Sequence, residues 1–272
     1  MCGIVGEFSF SGHWVTDRDR KLVDTMQARG PDGTGVFQNE EVWLGHRRLA
    51  IIDPVARSDQ PMFDPTGRFV IVYNGEVYNH ASLAEELRGP VRTQSDTEVI
   101  LSGFIEEGPD FFEKLRGMFA FAIYDLQERL LWLARDRFAI KPFLYCLSNS
   151  SFVFASELRP FLRINALQLS VSPISVNSLL KFGAVGQPST IMSEIQHLPP
   201  GHFGVVDRTG ALRISSYLGR TPPERRKFSG SYNSAVHMVR EKLELATRAN
   251  LVSDVEVGCF LSGGVDSSAV LA

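Results

Sequence analysis

Met1-Cys2-Gly3-Ile4-Val5-Gly6 opens the chain. Removal of the initiator methionine, which a small side chain at position 2 favours, makes a cysteine the N-terminus. One residue then carries both a thiol nucleophile and a free α-amine. A free thiol titrates near ~8.5 and an α-amine near ~7.7–8.0. Near neutrality part of the amine population is therefore unprotonated and can accept the thiol proton directly or through one water. Gly-Ile-Val-Gly reads as a buried strand that would hold this end rigidly. Taken alone, Cys2 reads better as a small buried cysteine near a terminus, so the chemistry requires an oxyanion hole and a substrate clamp elsewhere.

Working outward, Asn74-Gly75-Glu76-Val77-Tyr78-Asn79 follows the apolar run FVIVY at 69–73 directly. The Asn74 side chain and the Gly75 N–H can both donate to one oxygen, and glycine lets the backbone approach closely. Such donors stabilise the charge that develops on a carbonyl under attack. The bland alternative is a plain Asn-Gly turn. Arg48, in HRRLAIID at 46–53, offers a bidentate fork for a carboxylate; otherwise it is an exposed strand arginine. Asp96 offers a partner for an ammonium group; otherwise it is an acid favouring a helix N-terminus. Together these groups describe a pocket for a small amino acid, and glutamine fits. Attack on its amide gives a thioester and ammonia, and water then releases glutamate.

The surrounding pattern mixes helices with antiparallel hairpins, predicting an α+β sandwich of helix-covered sheets rather than parallel βαβ units. Strands are expected at 2–10, in the β-rich stretch 42–52, at 69–73 and near 202–206. Hairpins are expected at 118–124 with 129–135 and at 143–147 with 151–155. Helices are expected over 17–28, 81–88 and 173–182, and from Ser95 to about 106, where Ser95 and Glu98 form a capping-box pattern. Residues 219–231, rich in Pro, Gly, Ser and Arg, read as a linker. A helix over 232–249 and a strand VEVGCFL at 255–261 then lead into SGGVDSS at 262–268. One helix, one strand and one loop cannot bury their own faces, so this tail reads as the start of a second domain.

Composition narrows the class. Hydrophobic content of 44%, charged content of 22% and a net charge of −3 are ordinary for a globular protein. No basic stripe suggests nucleic acid; the one tight cluster, Arg225-Arg226-Lys227, reads as solvated linker. No apolar run approaches the ~20 residues needed to span a bilayer, and the N-terminus lacks a signal-peptide pattern. The odd count of three cysteines, without CxxC spacing, argues against disulfides or a zinc site and fits the cytoplasm. Cys146 and Cys259 read as buried core thiols. A homodimer stays open, since nothing here sets the oligomeric state.

In SGGVDSS the paired glycines let backbone N–H groups turn onto phosphate oxygens at a helix start. Asp266 can help hold Mg²⁺ on that phosphate, and Ser262, Ser267 and Ser268 can donate hydrogen bonds. No GK[ST] follows, so this is not a Walker loop.

The motifs CGIVG (2–6), RGPDG (29–33), HRRLAIID (46–53), NGEVYNH (74–80), SDTEVI (95–100) and RDRFAIKP (135–142) together resemble the class II glutamine amidotransferases of the N-terminal-nucleophile hydrolase fold. The resemblance implies a four-layer αββα sandwich over 2–216. It implies Cys2 as nucleophile and base carrier, and Asn74 and Gly75 as oxyanion hole. Glutamine would be bound by Arg48, Glu76, Asp96 and backbone groups of Leu49, Ala50, Ile51 and Ile52. SGGVDSS resembles the pyrophosphate loop of ATP pyrophosphatases, a truncated α/β domain over 232–272 after a linker at 217–231. By that resemblance Leu261 borders adenosine, while Ser262, Gly263, Gly264, Asp266, Ser267 and Ser268 hold the pyrophosphate of ATP with Mg²⁺.

The two halves in this order resemble the glutamine-dependent asparagine synthetases, which convert aspartate, ATP and glutamine to asparagine, AMP, pyrophosphate and glutamate. The sugar-phosphate amidotransferases that share CGIVG lack such a loop. A relative acting on another carboxylate acceptor, and a non-catalytic glutamine-binding sensor, remain open. Ala139 departs from the glycine usual in the RDRFGIKP-type segment and would strain the loop if that position needs φ > 0.

Overall fold

The computed structural model describes residues 1–12, 14–219 and 228–272. The basic cluster 225–227 and most of the expected linker lie outside the described residues. Numbered in chain order, the first antiparallel sheet contains β1 (Gly3–Ser9), β2 (Gly33–Gln38), β3 (Val42–Arg48), β8 (Leu144–Leu147), β9 (Ser151–Ala155) and β10 (Gln196–His197). Its order is β10-β8-β9-β1-β3-β2. The second contains β4 (Met62–Phe63), β5 (Phe69–Val77), β6 (Gly117–Asp125), β7 (Leu130–Arg135), β11 (His202–Val206) and β12 (Leu212–Ser216), ordered β12-β11-β7-β6-β5-β4. The described helices are α1 (Arg20–Asp24), α2 (His80–Glu86), α3 (Asp96–Glu107), α4 (Leu158–Phe161), α5 (Pro173–Phe182), α6 (Tyr232–Ala249) and α7 (Val265–Leu271).

The period-2 alternation of the strands decides the layering. Ile4, Phe8 and Leu44 of the first sheet meet Val70, Val72, Ala120, Ala122 and Leu133 of the second in one buried core. The opposite faces turn outward. Ile71, Tyr73, Phe119, Phe121 and Ile123 pack under Leu83, Val99, Ile100 and Phe104 of α2 and α3. Val5, Trp43, Val153 and Ala155 pack under Leu22, Val23 and Phe161 of α1 and α4. The result is helix, sheet, sheet, helix, the expected α+β sandwich. The central strands of both sheets are buried on two faces, which is why FVIVY and MFAFAIY read as continuous apolar runs.

Local caps set the helix boundaries. Ser95 accepts from Thr97 N, so α3 starts where expected. The capping box is only half made, because Glu98 turns away from the Ser95 N–H. Its carboxylate accepts from Arg92 N, Thr93 N and Thr93 Oγ1 instead, closing the preceding loop. Ser172 caps α5 and Gly183, at φ 70°, ends it.

Several expectations are corrected. The helix expected over 17–28 is α-helical only at Arg20–Asp24, capped by Asp19, and continues as turns. Strands β2 and β12 sit at sheet edges; their half-exposed sequences, GTGVFQ and LRISS, carry weak apolar signal. VEVGCFL at 255–261 forms no strand and is exposed throughout, since no strand among the described residues stands beside it. Cys259 is accordingly exposed, whereas Cys146 is buried in the core. Ala139 does adopt φ 54°, so the strain expected from its departure is present. No described helix is long and apolar enough to cross a membrane.

Candidate active site

The site lies where the start of β1, the end of β3 and the C-terminal half of β5 converge beneath the first turn of α3. A buried histidine joins the two sheets there: His46 Nε2 lies 3.1 Å from Tyr73 O. A carbonyl only accepts, so Nε2 carries the proton. Burial pulls the His46 pKa down to about 3, keeping the ring neutral.

One cavity is lined by Met1, Cys2, Arg48, Asn74, Gly75, Glu76, Asp96 and Lys141, and by Leu49, Ile51 and Ile52. Segments far apart in sequence therefore meet as the motifs required. Cys2 Sγ accepts from Leu49 N at 3.3 Å and lies 3.6 Å from Leu49 O. Burial raises the thiol pKa, while the Leu49 contact and the terminal ammonium oppose that rise. The terminal α-nitrogen in this structure belongs to Met1, and burial lowers its pKa. The Cys2 nitrogen becomes an amine only after methionine removal, and that removal also clears Met1 from the cavity wall.

Asn74 is fully buried, and neither its Oδ1 nor its Nδ2 has a hydrogen-bond partner among the described residues. An unpartnered buried amide is costly, and this one lines the cavity beside Cys2. Gly75 is required for packing as well: a Cβ there would lie 2.3 Å from Met118 O on β6. The β5–β6 register, Asn74 to Ala120 and Gly75 to Phe119, fixes both residues on the strand.

Asp96 is buried at the first residue of α3. Its Oδ2 accepts from Tyr73 Oη at 2.7 Å and from Val77 N at 2.9 Å. Burial raises its pKa, and these two hydrogen bonds counter the rise. Burial likewise raises the Glu76 pKa, opposed by the charge of Lys141.

Arg48 is buried, not the exposed strand arginine of the bland reading. Its Nη1 donates to Val55 O at 2.9 Å and Asp59 Oδ1 at 2.6 Å. Its Nη2 donates to Asp53 O at 2.7 Å and Ile52 O at 3.4 Å. The guanidinium thus shapes the 52–59 loop and is not a free fork in this structure. Within the adjoining backbone, Ala50 N donates to Asp32 Oδ2 at 2.9 Å, and Ala50 stands outside the cavity wall.

Two contributors were not assigned from sequence. Tyr73 sits inside the apolar run FVIVY, whose strand character masks its polar tip. Lys141 lies in RDRFAIKP, a motif quoted above without a role for its lysine. It is 3% exposed and lines the cavity. Burial lowers its pKa, opposed by Glu76 and Cys2.

The second motif is only partly built. Gly263 takes φ 78°, where a side chain is disfavoured, and Gly264 caps α7 without a side-chain hydrogen bond. Ser262 Oγ and Ser267 Oγ lie 3.0 Å apart. Leu261 is exposed beside this turn, and Asp266 stands in the first turn of α7. No cluster of three metal-ligating side chains occurs among the described residues.

Comparison with known proteins matches two segments of the chain to two families. Residues 1–218 match the family described as glutamine amidotransferase domain, and 238–272 match the family described as asparagine synthase. Asparagine synthetase [glutamine-hydrolyzing] 3 of Bacillus subtilis is 37% identical over 280 residues, covering 100% of this chain and 45% of the relative. Asparagine synthetase B of Escherichia coli is 30% identical over 277 residues, covering 100% and 44%. Amidase chry2 of Gibberella zeae is 32% identical over 289 residues, covering 99% and 42%. The chain thus spans less than half the length of these relatives. The solved glutamine phosphoribosylpyrophosphate amidotransferase of Bacillus subtilis superposes with TM-score 0.57 at 18% identity, over 79% of this chain and 49% of that one; at that identity the likeness is one of fold. Sequence motifs, layered sheets and a family match running through residue 218 agree, and the chain belongs to the glutamine amidotransferase domain family.

Proposed function

We propose that residues 2–216 form a glutaminase that supplies ammonia to an asparagine synthetase whose ATP-pyrophosphatase domain begins at 232, after a linker at 217–231. The observation that carries this reading is the fully buried, unpartnered Asn74 amide lining one cavity with the Cys2 thiol. After methionine removal the Cys2 α-amine takes the thiol proton. The thiolate attacks the glutamine amide carbon, and Asn74 Nδ2 with the Gly75 N–H hold the developing oxyanion. The protonated amine returns its proton to the leaving ammonia. Water then attacks the thioester and releases glutamate. Asp96 and Glu76 receive the substrate ammonium. Arg48, through the loop it organises, and the 49–52 backbone border the carboxylate end.

In the whole protein, ammonia would amidate an adenylated aspartate. Ser262, Gly263, Gly264, Ser267 and Ser268 would hold the pyrophosphate of ATP, Leu261 would border adenosine, and Asp266 would meet Mg²⁺ through the pyrophosphate. The open turn with Gly263 at φ 78° supports the phosphate role. Reduced cysteines favour a cytoplasmic setting. The similarity to a protein named as an amidase keeps a second acceptor class in view.

Glutamate release from protein whose N-terminus is verified by mass spectrometry tests the first step. Cys2→Ala should abolish release while glutamine still binds. Equal rates in both proteins would refute the nucleophile assignment. Pyrophosphate release from the longer protein, with aspartate and with other carboxylic acids, tests the acceptor.

A further inference from the structure

The 250–255 segment is tied to the loop that borders the glutamine cavity. Asp254 Oδ2 accepts from Asp53 N at 2.7 Å, and Asp254 N donates to Ile51 O at 3.0 Å. Among the described residues these are the partners of the Asp53 N–H and the Ile51 carbonyl. Asp53 is 4% exposed with Asp254 in place, so loss of Asp254 would strip its N–H of this protein partner.

Asp53 is also the junction of the loop. It holds φ 45°, outside the range most side chains prefer. Its carboxylate accepts from Ser58 Oγ at 2.7 Å and Gln94 N at 3.0 Å, and its carbonyl accepts from Arg48 Nη2. One residue therefore links Arg48, the cavity-lining Ile51 and Ile52, and the approach to Asp96. The outer half of that junction is supplied by a residue shortly before the SGGVDSS turn.

We propose that Asp254 is a positioning residue for the glutamine site, holding the 49–53 loop in its binding shape from the segment that precedes SGGVDSS. The proposal rests on the reading of the cavity as a glutamine site. It makes the amide-hydrolysing cavity sensitive to the arrangement of the 250–268 segment, and the coupling runs both ways.

Glutamate release should be compared in processed wild type, Asp254→Ala and Asp254→Asn. Asparagine keeps a side-chain oxygen that can accept from Asp53 N, whereas alanine does not. Asp254→Ala should raise KM for glutamine about tenfold, with kcat within about twofold, and Asp254→Asn should stay within about twofold of wild type in both. A wild-type KM in the alanine variant, or an equal rise in the asparagine variant, would overturn the hydrogen-bonded latch. If the alanine variant does not fold, hydrogen exchange on Cys2→Ala protein decides. Glutamine should slow exchange at the Asp53 and Asp254 amides, and unchanged exchange with glutamine bound would overturn the proposal. Failure of glutamine to bind the Cys2→Ala protein at all would instead remove the glutamine reading itself, and the latch with it.

Discussion

The Tyr73 hydroxyl donates to Asp96 Oδ2 at 2.7 Å, joining β5 to the first residue of α3 at the cavity. This bond favours the charged carboxylate against the burial that raises its pKa. Tyr73→Phe removes it and shifts the Asp96 pKa further up. The carboxylate is then lost at a higher pH, so the acid limb of kcat/KM for glutamine should move upward. A pH–rate profile with an unmoved limb would count against Asp96 as the ammonium partner.

The Asn74 amide has no partner among the described residues, which leaves it available to the reacting oxygen. Asn74→Ala should lower kcat by about 10²–10³ with little change in KM, as for other oxyanion donors. Steady-state glutamate release measures both. A change confined to KM would assign Asn74 to ground-state binding.

Lys141 lines the cavity with Glu76 and Cys2, and its charge interacts with both, as well as with Arg29 and Asp136. Lys141→Met removes the charge that opposes the raised Glu76 pKa. Glu76 should then protonate at higher pH, and KM for glutamine should rise several-fold below neutrality. Lys141→Arg should restore much of the wild-type profile. If both variants behave alike, the charge is not the cause.

Glu98 accepts from Thr93 and Arg92, and these hydrogen bonds outweigh desolvation and hold its pKa below the ordinary glutamate value. Its stabilisation is therefore complete above the unfolded glutamate pKa and is lost as pH falls through the lower folded value. Glu98→Gln should cost roughly 1–3 kcal/mol near neutrality. The gap to wild type in urea unfolding should close as pH falls. A gap independent of pH would show that shape, not charge, is responsible.

Ala139 at φ 54° occupies a left-handed conformation that costs an L-residue roughly 1–2 kcal/mol, against a glycine entropy cost of about 0.5–1 kcal/mol. Ala139→Gly should therefore raise stability by up to about 1 kcal/mol, and Tm by about 2–4 °C. Thermal unfolding of the two proteins checks this.

The sequence by itself determined the sandwich and the set of motifs. Long apolar strands such as MFAFAIY signal burial on both faces, and Cys2, Asn74 and Asp96 stand out as polar groups in or beside apolar runs. Tertiary structure decided how those groups are used. Arg48 reads as a free clamp, yet the 52–59 loop folds back onto its guanidinium, a contact no local pattern encodes. Glu98 fits a capping box, yet backbone amides of the preceding loop lie within its reach. VEVGCFL has every local mark of a strand and stays irregular, because a strand exists only through hydrogen bonds to neighbouring strands. The contact of Asp254 with Asp53 joins residues that are remote in the chain, and only the folded backbone brings them together.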